Sequence, residues 1–163
     1  MINFTIAIIG TIMAMIHVFM MRNKLDKGKL VQIALLYYMI FGVFFPGFIA
    51  FVGHVFFSDI IAPKIGWAPS PFETEVGLHD GAWALIALLA VWVRGTFCHA
   101  VIIGWSFFII GAGINHGIES VSKGNFAEYN YLMIFFDIGI GLVGLFIWWF
   151  WMKFNNIRFL HKE

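Results

Sequence analysis

Residues 71–93 read PFETEVGLHDGAWALIALLAVWV. Glu73, Glu75, His79 and Asp80 crowd the mouth of an apolar run that carries no further charge before Arg94. Glu75 and His79 are four residues apart, so on a helix they share one face. Ionisable groups entering a bilayer are costly and are usually retained for a use. The stretch predicts a transmembrane helix over roughly 75–93, with a functional mouth.

Working outward, Arg94-Gly95 ends that helix and a second apolar run predicts another over 97–119. On the N-terminal side, SDIIAPKIGWAPSPFE (58–73) spaces Pro63, Pro69 and Pro71 around Trp67. Such a segment cannot be one regular helix, and a partly apolar flap over the helix ends is expected. Residues 30–57 predict a helix too long for a perpendicular crossing, tilted or kinked at Pro46-Gly47. Residues 2–21, INFTIAIIGTIMAMIHVFMM, are long enough to cross a core of roughly 30 Å. No basic residue precedes them and no small-x-small site follows, so they read as a helix, not a removed signal. Beyond the polar loop SVSKGNFAEYN, a last helix over 129–152 ends in Trp148-Trp149-Phe150-Trp151, the pattern of interfacial anchors. The expected fold is all-α: one transmembrane domain over 1–163, a polytopic bundle of about five helices.

Composition agrees. Of 163 residues 61% are hydrophobic and 12% charged, with a mean hydropathy of +0.90, more apolar surface than a soluble domain of this length can hide. Lipid is therefore the expected partner. The single cysteine, Cys98, excludes an intrachain disulfide and a thiolate metal cluster. The ten Lys and Arg residues form no patch with interleaved aromatics, so nucleic acid is not expected. Arg22, Lys24, Lys27, Lys29, Arg94, Lys153, Arg158 and Lys162 fall on one side of the predicted topology, leaving only Lys64 and Lys123 on the other. The positive-inside rule then places the N-terminus outside and the C-terminus in the cytoplasm, in the cell membrane (the inner one of a Gram-negative cell).

With that topology Asp59, Glu73, Glu75, Asp80, Glu119, Glu128 and Asp137 all lie in the outer half, joined by His54, His79 and His116. His116 and Glu119 are three apart on one helix face. Imidazole and carboxylate together suit Zn, Fe(II), Mn or Cu(II). The expected ligands of a divalent metal are His54, Glu75, His79, His116 and Glu119, with Glu73 or Asp80 supporting them or acting as general base. The plainer alternative is that Glu75 with His79, and His116 with Glu119, are local ion pairs or caps. His17 and His99 sit at equal depth near the cytoplasmic side and offer a haem pair, but packing is the expected role for both. Cys98 and His99 are adjacent and do not face each other on a helix. Gly77 with Gly81, Gly113 with Gly117, and Gly141 with Gly144 on the face of Asp137, are spaced for close helix packing. There is no G-x-S-x-G, no H-E-x-x-H and no phosphate-binding glycine loop.

Ser70-Pro71-Phe72, Glu75-Val76-Gly77, Arg94-Gly95 and the run from Gly104 through Gly111 to His116 resemble a family of small, uncharacterised bacterial multi-helix membrane proteins. The likeness covers about residues 67–119. It implies an integral membrane bundle and emphasises Glu75 and His116, with no reaction attached.

Three functions fit these residues. The foremost is a metal-dependent membrane enzyme whose outward site takes a lipid-phase or small substrate. A cation or proton carrier is the second, using the acidic mouth to concentrate cations and Asp137 to lead inward; enclosing a pore would require a homo-oligomer. A non-catalytic partner in a membrane complex is the third.

Overall fold

The computed structural model describes residues 2–154, and its elements there are helical. In chain order they are α1 (Ile2–Met21), α2 (Lys27–Phe56), the short α3 (Ser58–Ile65), α4 (Pro71–Val93), α5 (Thr96–Lys123) and α6 (Glu128–Phe154). All but α3 are long and apolar enough to cross a membrane. Arg158 and Lys162 of the basic tail lie outside the described residues.

Local chemistry sets the helix starts. Asp26 caps α2, its Oδ1 accepting the Lys29 amide at 2.8 Å, and that bond holds its carboxyl below the ordinary value. Ser70 caps α4 by accepting the Glu73 amide, and Pro71 takes the first helical position, where a missing N–H costs nothing. α4 therefore begins four residues before the expected start, and its charged mouth belongs to the helix.

α2 carries the expected irregularity, but it starts before the proline. Tyr38–Phe44 winds as a π-helix. Pro46 has no N–H to give the Gly42 carbonyl four residues back. From α5, the indole Nε1 of the fully buried Trp105 donates to that carbonyl at 3.1 Å. Trp105→Phe removes the donor from a buried carbonyl and is expected to cost about 1–3 kcal/mol. A lowered apparent melting temperature in detergent is the readout; an unchanged melt would mean that the carbonyl is satisfied by other means.

The bundle is organised by two broad pairings, α5 with α6 and α2 with α4. Met39, Val43, Ala87, Ile102 and Trp105 are almost wholly buried where the pairs meet. α1 is peripheral: only Gly10 is buried, and Ile8, Ile12, Met15, Ile16 and Phe19 face outward. At one end the Lys27 ammonium lies 5.5 Å from the Phe154 ring centroid, and Arg94 shares a cavity of about 210 Å³ with Gln32 and Trp151. The described basic residues of the chain, apart from Lys64 and Lys123, gather at this end, as the charge pattern implied.

The opposite end is covered by the segment after α2. α3 stops at Gly66, whose φ of +81° is left-handed, and the chain turns so that Trp67 lies over the ends of α5 and α6. Its indole donates to Glu119 Oε2 at 3.1 Å, and Asn125 Nδ2 donates to the Ile65 carbonyl at 2.9 Å. The proline-rich stretch is thus a flap whose first half is a helix.

Candidate functional site

Beneath the flap lies a cavity of about 830 Å³ between α2, α4, α5 and α6. Its walls are mostly apolar, from residues such as Ile49, Ala50, Ile109 and Phe136. Four ionisable side chains interrupt them: His54 from α2, Asp80 from α4, His116 from α5 and Asp137 from α6. Ile103, Phe107 and Ile114 are exposed on the outside of the bundle and also line this space, which makes it continuous with that surface.

Each histidine is held by its Nδ1. The buried carboxylate of Glu73 sits between α2 and α3, with Oε1 at 3.0 Å from His54 Nδ1 and Oε2 accepting the Ser58 hydroxyl at 2.7 Å. Nδ1 of His54 therefore carries a proton, which it donates to Glu73. His116 Nδ1 is 2.8 Å from Asn130 Oδ1. The orientation of that amide follows from its other contacts: Asn130 Nδ2 donates to the His116 carbonyl, Ser120 Oγ and the Asn125 carbonyl at 3.2, 2.9 and 2.9 Å. Oδ1 must then accept, so His116 is also protonated on Nδ1. Its Nε2 lies 3.9 Å from Asp137 Oδ2, too far for a hydrogen bond. Trp67 stacks on the His116 ring, with centroids 5.6 Å apart and planes 17° from parallel.

The two aspartates lie deeper. Both are 5% exposed, and they are close enough to interact electrostatically. No hydrogen bond reaches the Asp80 carboxyl group among the described residues. The backbones approach closely here: Gly47 of α2 passes against the Asp80 carbonyl, and Gly113 of α5 against Asp137 and Ile138.

The ligand set expected from the sequence is not gathered. Glu75 and His79 point outward from α4 and are exposed. His79 Nε2 accepts the Trp83 indole N–H at 3.1 Å, and its ring lies 4.2 Å from Phe108, so the local pair with Glu75 does not form either. Glu119 is turned to Trp67, Lys123 and Asn125. His116 and Glu119 are bridged through Trp67 instead of binding one ion. Among the described residues no group of three or more His, Cys, Asp or Glu side chains could hold a metal. The physical reason is phase. With α4 starting at Pro71, its buried line runs Glu73, Gly77, Asp80, Ala84, Ala87, which turns Glu73 and Asp80 inward and Glu75 and His79 out.

His17 packs edge-on to Tyr37, and His99 stacks on Trp151 at 4.0 Å while its Nδ1 accepts the Trp148 indole N–H at 2.7 Å. Asn130 and Ser58 were not singled out from the sequence. Asn130 had a signal: it stands seven residues before Asp137, which stands seven before Gly144, and all three are buried along one line of α6.

A family model matches residues 1–156, more than the short stretch whose motifs carried the resemblance. The chain belongs to DUF6790, a family of unknown function. Comparisons with curated proteins and with solved structures give no match. What the site does must therefore be read from its own geometry.

Proposed function

We propose that this chain is a multi-pass protein of the cell membrane, with the basic end in the cytoplasm, and that its cavity binds a small amphiphile entering sideways from lipid. The observation that carries this reading is the 830 Å³ apolar space with four convergent ionisable side chains at its wall. Ligand sites are typically cavities of about 300–1,000 Å³ with few, placed polar groups, and this one falls in that range. The exposed side chains that share its lining supply a lateral entrance. The head group would rest among His54, His116, Asp80 and Asp137, and its tail along the Ile49–Phe136 side.

A twelve-carbon alcohol with a diazirine in its tail tests this in lipid nanodiscs. Photolysis is expected to place adducts on Trp105, Ile109 or Phe136, which the intact bundle shields. Ala50→Trp, which fills the cavity, should reduce those adducts roughly tenfold. Adducts confined to outward residues such as Phe19 and Val121, with no effect of Ala50→Trp, would overturn the proposal.

A further inference from the structure

Resting on the cavity as a binding site, we infer that its ligand is a cationic amphiphile, an alkylammonium whose N–H groups meet a wall made almost wholly of acceptors. The tautomers decide the histidines. Asn130 takes the Nδ1–H of His116, whose Nε2 is then a lone-pair acceptor in the neutral ring, and Glu73 takes the Nδ1–H of His54, whose Nε2 accepts likewise when that ring is neutral. The carboxyl groups of Asp80 and Asp137, at positions that are 95% buried, face the same cavity and offer up to four acceptor oxygens once a bound cation takes the place of their protons.

The donors that might have balanced them are already committed. Trp105 Nε1 is given to the Gly42 carbonyl and Trp67 Nε1 to Glu119. Asn3, Asn115 and Tyr129 also line the space, but each brings an acceptor with its donor and leaves the imbalance standing. Among the described residues no lysine or arginine lines the cavity. Two carboxyl groups brought together in an apolar enclosure keep their protons unless a cation stands beside them, and an ammonium supplies both the charge that ionises them and up to three donors. A ligand that only accepts, such as a quinone ring or a carboxylate head, would set acceptor against acceptor. The chemistry of the wall therefore discriminates by sign, and the long apolar walls call for an alkyl or aryl body on the nitrogen.

The test is competition for cavity labelling by the diazirine alcohol in phosphatidylcholine nanodiscs, with dodecylamine, dodecanol, dodecanoate and a decyl-benzoquinone compared at equal membrane concentration. Dodecylamine is expected to compete at a concentration roughly tenfold below dodecanol, with dodecanoate and the quinone weaker still. Asp80→Asn and Asp137→Asn replace a charged acceptor by a near-isosteric amide and should shrink the amine-to-alcohol ratio by roughly tenfold each. Because the order among ligands is measured within the wild-type protein, it stands even if a variant folds poorly. Equal competition by amine and quinone, or a ratio unchanged in both variants that fold, would overturn the cationic ligand and leave an unselective amphiphile cavity. Absence of any labelling inside the cavity would overturn both.

Discussion

Asn130→Leu is expected to be among the most damaging single substitutions in the chain, lowering stability by roughly 3–5 kcal/mol and emptying the cavity of ligand. The side chain is wholly buried and uses both ends of its amide. Leucine keeps the branched shape, is somewhat larger, and removes every one of those bonds. His116 Nδ1–H then has no acceptor, and the Asn125 carbonyl and Ser120 lose a donor where water cannot replace it. The consequence for function is as direct, because without Asn130 the His116 ring is free to change tautomer or turn from the cavity. Asn130→Asp separates the two effects. It can still accept from His116 but cannot donate, so the imidazole is retained while the loop around Asn125 loosens. Apparent melting temperature in detergent and labelling by the photoreactive alcohol measure both. A leucine variant that melts within a degree or two of wild type would show that the amide does not hold α5 to α6.

The membrane-type fold was legible because it depends on long-range composition. Five apolar runs of adequate length can be found without knowing a single contact, and the basic residues sort by end once the runs are counted. Helix starts were less legible. Ser70-Pro71 is a cap and first-turn pair, yet reading 58–73 as one irregular flap hid it, and the start of α4 moved by a full turn.

That turn mattered more for the site than for the fold. Acidic residues two apart on a helix cannot share a face, so Glu75 as a ligand and Glu73 as its supporting residue or base could not both point inward once both belonged to the helix. The small residues held the correction. Gly77, Ala84 and Ala87 are where α4 meets its neighbours, and Glu73 and Asp80 complete their line, whereas Glu75 does not. The same rule finds Asn130 and Asp137 on α6, in register with Gly144. Small residues mark the interior of a membrane bundle better than polarity does, because polar side chains also collect at wet helix ends. The proximity of His54 to His116 was not legible at all. It depends on how α2, α4 and α5 are arranged around one another, which no local pattern encodes.

The glycines tie packing to the site, and Gly47 provides the second large effect. A Cβ built on Gly47 would stand 2.8 Å from the Asp80 carbonyl oxygen, a backbone atom that cannot swing aside. At Gly81 the obstacle is the Phe51 ring and at Gly77 it includes the Cβ of His54, while at Gly117 there is open space, so only some of the glycines predicted to pack do so. Gly47→Val is therefore expected to force α2 and α4 apart, at a cost of roughly 2–3 kcal/mol for the strain. Gly117→Val should leave the packing alone. The displacement falls on Asp80 itself, one of the four side chains at the cavity wall, and on the π-helix and proline just before Gly47. The discriminating measurement is labelling by the photoreactive alcohol, with dodecylamine as competitor, in Gly47→Ala, which introduces only the Cβ and is the variant more apt to remain folded. Loss of amine preference there, with Gly117→Ala unaffected, would show that close approach of α2 to α4 sets the position of Asp80. Retained preference in a folded Gly47→Ala protein would mean that the carboxylate tolerates movement of its helix, and that the acceptor wall is less rigid than its burial implies.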